Sequence, residues 1–260
     1  MAKSKYSGDQ EIRHKIDELF SYRKLSDLLE RGGLDKDIVF TRHLTEIQYQ
    51  IYLLDAYLEG EWTLDQEKLN ACWGAIKGAL AGLGYKPDQV LKLLHEIREY
   101  ERIERNCRKG KWPTKVSFKK FYTTKSCDVR LIRHLIYDAR PELSKIWKEN
   151  AWVYYDLITE INDDIADLRE DLLTYNGNRF LISCLRKGKR KTSIKYKAYL
   201  EKVSLKAKKY FRDHAKDGEN GQLASWTIAR SKETLELLDK TSIDDDVSLF
   251  GTSLILGKMK

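Results

Sequence analysis

Along most of this chain apolar residues recur at steps of three and four, the period of one helical face. The clearest run is Leu44, Ile47, Ile51, Leu54 and Leu58, which predicts a helix over residues 35–59. Before it, Ile12, Ile16, Leu19, Leu25, Leu28 and Leu29 mark a helix over 10–31, stopped by Gly32-Gly33. Residues 1–8 precede the pattern and are expected to fray. Thr63-Leu64-Asp65-Gln66 reads as a capping box that opens a third helix, which carries Gly74, Gly78 and Gly82 one turn apart. Each of these glycines costs about 1 kcal/mol relative to Ala, so they imply either close helix packing or room for a bulky ligand. Gly84 and Pro87 lead into a charged helix over 88–108, and residues 109–124 read as a linker with a short helix. The next helix, with Leu131, Ile132, Leu135 and Ile136, is capped by Thr124 or Ser126 and ends before Pro141.

Pro141 then sits at the first turn of the longest periodic stretch, residues 142–175. Its seam, Trp147, Ala151, Tyr154, Ile158, Ile161, Ile165, Leu168 and Leu172, predicts one helix of roughly 50 Å, ended by Asn176-Gly177. A single seam of that length suits the middle of a large bundle. Residues 186–191 read as a basic loop. Residues 193–216 form a Lys-rich helix with Tyr196, Leu200, Val203 and Tyr210 on its apolar side, and 222–240 a last helix. The pattern gives an all-α chain forming a single helical domain over 1–260.

Composition agrees with this and narrows the setting. Only 3 Pro and 15 Gly interrupt 260 residues. No apolar run approaches the roughly 18 residues of a spanning helix, and the N-terminus has no apolar signal core, so a soluble, cytoplasmic protein is expected. The four cysteines show no CxxC spacing and are expected as free thiols. A net charge of +8 suits nucleic acid, an anionic lipid surface or a phosphorylated substrate, without choosing among them.

Candidate chemistry lies in residues 160–171, which hold six carboxylates interrupted by Ile161, Ile165 and Leu168. With Ile161 centred on the seam, Asp164, Asp171, Glu160 and Asp167 fall at about 60, 80, 100 and 120° to one side, and Asp163 lies about 40° beyond Asp167. Like charges one turn apart repel, and such a stripe beside a core calls for cations. Carboxylate oxygens on a helix suit Mg²⁺, which also accepts substrate phosphates as ligands. Asp55 and Glu59, four apart beside the seam of the second helix, are the candidate partner pair.

The segment resembles the second metal motif of the class I isoprenoid synthase superfamily. Asp163-Asp164-Ile165-Ala166-Asp167 matches DDxxD. Asp167-Leu168-Arg169-Glu170-Asp171 is similar to the DxxED of squalene and phytoene synthases. Asn162-Asp163 through Glu170 resembles the NDxxSxxxE of terpene cyclases, with Ala166 where that pattern has a ligand oxygen. The first half of the chain has no DDxxD, and Asp55 to Glu59 is only similar to a DxxxD. The resemblance implies a helical bundle of the isoprenoid synthase type with a central active-site cavity and more than one Mg²⁺. Its implied ligand set is Asp55, Glu59, Asp163, Asp164, Asp167, Glu170 and Asp171, with the register Asp163/Asp167/Asp171 as the catalytic triad.

The implied substrate is an allylic isoprenyl diphosphate that loses diphosphate to leave a carbocation. Lys125, Arg130, Arg179 and Arg230 are the candidates to bind that diphosphate, and Arg230 resembles the late arginine of terpene cyclases. Tyr52, Trp73, Trp147, Trp152, Tyr154 and Tyr155 are candidates to face the carbocation. A homodimer and a peripheral contact with a membrane are compatible with this reading. The rival is a basic helical nucleic-acid-binding protein without enzymatic activity, whose Tyr-interleaved segment 186–216 would bind phosphates and stack bases.

Overall fold

The computed structural model describes residues 8–109, 111, 113–174, 177–214 and 220–241. In chain order its helices are α1 (Asp9–Tyr22), α2 (Leu25–Arg31), α3 (Ile38–Gly60), α4 (Gln66–Gly82), α5 (Pro87–Leu93), α6 (His95–Cys107) and α7 (Phe118–Lys125). There follow α8 (Cys127–Ala139), α9 (Trp152–Ala166), α10 (Leu168–Asp171), α11 (Arg179–Lys187), α12 (Lys189–Asp213) and α13 (Gly221–Lys240). With no strand among the described residues, the protein is all-α. No helix among them is long and apolar enough to cross a membrane. Of the segment expected to fray, only Gly8 is among the described residues.

Two compact units share these helices. The first takes the chain up to Arg105 and then Cys127–Leu143; the second takes Asn106–Ser126 and the chain from Ser144 onward.

In the first unit, α3 buries the seam expected of it, Leu44, Ile47, Ile51, Leu54 and Leu58, behind an Asp37 cap that accepts from the Phe40 N–H at 3.0 Å. The helix expected over 10–31 is two. After Ile16 and Phe20 the next inward position falls at Arg23 and Lys24, and the chain changes direction there with Lys24 in a left-handed conformation (φ 63°) before Leu25, Leu28 and Leu29 resume burial. The cap of α4 is Asp65 rather than Thr63: its carboxylate accepts from the N–H groups of Glu67 and Lys68 at 2.7 and 3.2 Å. Gly74 and Gly78 are solvent-exposed, with nothing within 4 Å of where a Cβ would stand, so close helix packing does not explain them. The helix expected over 88–108 breaks at Leu94 into α5 and α6.

In the second unit α9 is central and packs against α7, α11, α12 and α13. The single helix expected over 142–175 is a correction. Its first part is unwound into short 3₁₀ turns, Pro141–Lys145 and Glu149–Ala151. Asn220 holds that stretch: its N–H donates to the Ile146 carbonyl at 3.1 Å, and its side-chain oxygen accepts from the Lys148 N–H at 3.3 Å. Trp147 and Ala151 remain buried, so the seam survives while the helix does not. At the other end regular helix stops at Asp171, because carboxylates crowd a C-terminus that already carries the negative end of the helix dipole. Asn176 of the expected stop lies outside the described residues, as do 215–219 at the expected end of the Lys-rich helix. The basic stretch 186–191 is not an open loop: only Gly188, at φ 79°, separates α11 from α12.

Candidate functional site

Eleven of the fifteen residues of α9 are buried, and five of those are polar: Asp156, Thr159, Glu160, Asn162 and Asp164. A buried carboxylate needs donors or a cation. Asp164, fully buried, has both. One oxygen accepts from the Lys125 ammonium at the end of α7. The other accepts from the Tyr122 hydroxyl at 2.8 Å and from the Arg179 and Phe180 N–H groups at 3.0 and 3.3 Å. The last two are orphan donors at the start of α11, so Asp164 shares the capping of that helix with Asn178, whose side-chain oxygen accepts from the Leu181 N–H at 2.8 Å. The Asn178 amide donates in turn to the Asp164 carbonyl and to the Asp171 carboxylate, both at 2.7 Å. Tyr122 also meets the Tyr196 hydroxyl at 2.9 Å.

The electrostatics follow. Burial works against the charge of Lys125, but Asp164, Glu160 and Asp171 together hold its ammonium well above its ordinary range. Burial and the Asp164 charge push the Tyr122 and Tyr196 hydroxyls upward, so both stay neutral donors. The stripe is therefore not without a cation: Lys125 serves its buried members.

The outer members differ. Asp163 is half-buried, and Asp167 and Glu170 are exposed. Desolvation, then the charges of Asp171 and Asp163, push the Asp167 carboxyl up to about 6, against an opposing pull from Lys125. The helical register survives the local break at Asp167. Its N–H donates to the Asp163 carbonyl at 2.9 Å and its carbonyl accepts from the Asp171 N–H at 2.8 Å, so the three residues remain successive turns of one edge. Among the described residues, no group of three or more His, Cys, Asp or Glu side chains converges on a metal position as the side chains stand.

Of the expected diphosphate ligands, Lys125 meets Asp164 through its side chain and Arg179 through its backbone N–H alone. Arg179 is 2% exposed, its guanidinium 4.3 Å over the Phe118 ring and 5.6 Å from Phe121. Its Nη1 has no hydrogen-bond partner among the described residues. Arg230 pairs with Glu233 one turn along α13 at 2.9 Å. Arg130 pairs with Glu96 at 2.9 Å and belongs to the first unit, as do Asp55 and Glu59, which are half-buried on α3. Among the expected carbocation-facing aromatics, Trp147, Trp152 and Tyr155 pack in edge-on contacts in the core of the second unit, joined by Trp226. Trp73, in the first unit, donates its indole N–H to Glu101 at 3.0 Å.

Sequence reasoning missed Tyr122, Tyr196 and Asn178. Asn178 was findable, because an Asn just before Arg179-Phe180-Leu181 is a helix-start signal. Tyr122 meets Asp164 from 42 positions away and Tyr196 meets Tyr122 from 74 positions away, and no local pattern announces either. No protein-family model, curated protein or solved structure matches this chain.

Proposed function

We propose that the protein is a Mg²⁺-dependent class I terpenoid synthase that ionises an allylic isoprenyl diphosphate and releases diphosphate. The observation that carries this reading is the register Asp163–Asp167–Asp171, kept by two successive helical hydrogen bonds across the end of α9. Two further features support it. Desolvation first, and then the charges of Asp171 and Asp163, raise the Asp167 carboxyl, and a bound cation would offset the charge part. Hard carboxylate oxygens are also the donor chemistry that Mg²⁺ takes.

Asp163 and Asp167 would hold the metal, with Glu170 beside them and Asp171 one turn on, buried and also accepting from the Asn178 amide at 2.7 Å. Asp164 is left out, because its oxygens are taken by Lys125, Tyr122 and the start of α11. Bound Mg²⁺ supplies charge neutralisation of the departing diphosphate. The chain's own part is positional: Asp164 fixes the Lys125 ammonium and the first turn of α11, where Arg179 begins the helix. Incubation with geranyl, farnesyl and geranylgeranyl diphosphates and Mg²⁺, followed by diphosphate and product analysis, tests the proposal. Turnover that EDTA and Asp167→Ala both abolish supports it. No release from any of the three, or full turnover by Asp167→Ala, overturns it.

A further inference from the structure

The positive charge of this protein is concentrated in one helix. α12 carries ten Lys and Arg against Glu201 and Asp213, which leaves 38 basic and 38 acidic residues in the rest of the chain. The net charge of +8 is thus the charge of α12.

Its outward face also carries two exposed apolar residues near the centre, on a line shared with Arg212 and Glu201. Ile194 and Leu205 are 63% and 67% exposed. On a helical projection with Ile194 at the origin, Leu205 lies at about 20° and Ala198 at about 40°. Lys191, Lys209 and Lys202 flank that ridge at about 60–80° on one side, and Arg190 and Lys208 at about 40° on the other, where Lys197 pairs with Asp239 at 3.4 Å. Arg212 and Glu201 lie on the same face, both exposed. Beside Leu205 the surface opens into a groove of about 630 Å³ between α12 and α13, where Ile228 is 46% exposed. Apolar surface therefore continues off the ridge, while Glu201, Glu236 and Asp239 line the groove toward the end of α13.

We infer that α12 is a docking face for an anionic lipid surface. Basic residues on both flanks of an exposed Ile and Leu ridge match a helix lying in the membrane interface, where the ridge enters the acyl boundary and the lysines reach up to headgroups. A phosphate-backbone partner would use the lysines but gives the exposed Ile194 and Leu205 nothing apolar to meet. Nor is Tyr199 free to stack on a base, since it stacks on Phe118 at 4.4 Å. The inference stands independently of the proposed catalysis.

Vesicle sedimentation of the full chain tests it, with phosphatidylcholine alone and with about a third phosphatidylserine, each lysine near such a surface contributing roughly fivefold. Binding is expected to the anionic vesicles only and to fall with salt. Lys191→Ala/Lys202→Ala/Lys209→Ala should weaken it roughly a hundredfold. Ile194→Ser/Leu205→Ser, which leaves charge untouched at two exposed sites, should weaken it at least tenfold with the helical circular dichroism unchanged. No retention on anionic vesicles overturns the inference. So does retention that the Ile194/Leu205 variant does not alter, especially if random oligonucleotides bind equally well, because the face would then be a general polyanion surface.

Discussion

Asp164 and Lys125, 39 positions apart, form an ion pair inside the second unit, and the carboxylate of that pair also closes the start of α11. A buried charge left without its partner costs about 3–5 kcal/mol. Lys125→Met and Asp164→Ala are therefore each expected to lower the unfolding free energy obtained from urea titration by that amount. The double variant Lys125→Met/Asp164→Leu should recover part of the loss, because removing both charges costs less than stranding one.

The adjacent carboxylate should behave in the opposite way. Asp163 is half-buried, and none of the hydrogen bonds that hold the Asp164 carboxylate goes to it. Asp163→Ala is expected to leave stability within about 0.5 kcal/mol while lowering diphosphate release at least a hundredfold under the proposed function. Urea titration and the turnover assay on the same sample check the split.

Asp167 gives a pH signature. Its carboxyl is held up at about 6 in the folded protein, above the ordinary value near 4, so the folded state binds this proton more tightly than the unfolded chain. The stabilisation is full below about pH 4 and is lost as pH rises through about 6. Because the residue is solvent-screened, the remaining strain at pH 8 is about 1 kcal/mol at most. Asp167→Asn should then raise Tm by roughly 2–4 °C at pH 8 and not at pH 4. Proton and metal compete for the same oxygens, so Mg²⁺ affinity measured by calorimetry should weaken as pH falls through 6.

On α4, exposed Gly74 and Gly78 meet nothing within 4 Å of an added Cβ and have helical backbone. Gly74→Ala and Gly78→Ala are each expected to stabilise by about 0.5–1 kcal/mol in a thermal melt.

What the sequence reveals of this fold depends on how local the cause is. The α3 seam is a property of its own spacing, and all five of its apolar residues are buried as the pattern requires. The break at Lys24 was also local, since Arg23 and Lys24 occupy the next inward turn after Phe20. The unwound stretch before α9 was not legible, because its cause is Asn220, more than seventy positions later. The same holds within the candidate site. Helical projection placed Asp164 and Asp167 on one side of α9, but it could not separate a carboxylate buried under Lys125 and Tyr122 from one left at the outer edge.

The division into units has a consequence for synthesis. The second unit begins at Asn106, yet the first is completed only by Cys127–Leu143. On a ribosome adding about 5–20 residues per second, α7 emerges before the first unit has its last helix, and then waits for α9, α11 and α12 to be made. A chain halted anywhere between residues 106 and 143 would contain neither unit whole. The first unit has all of its residues once Leu143 has emerged, whereas the second still waits for α13.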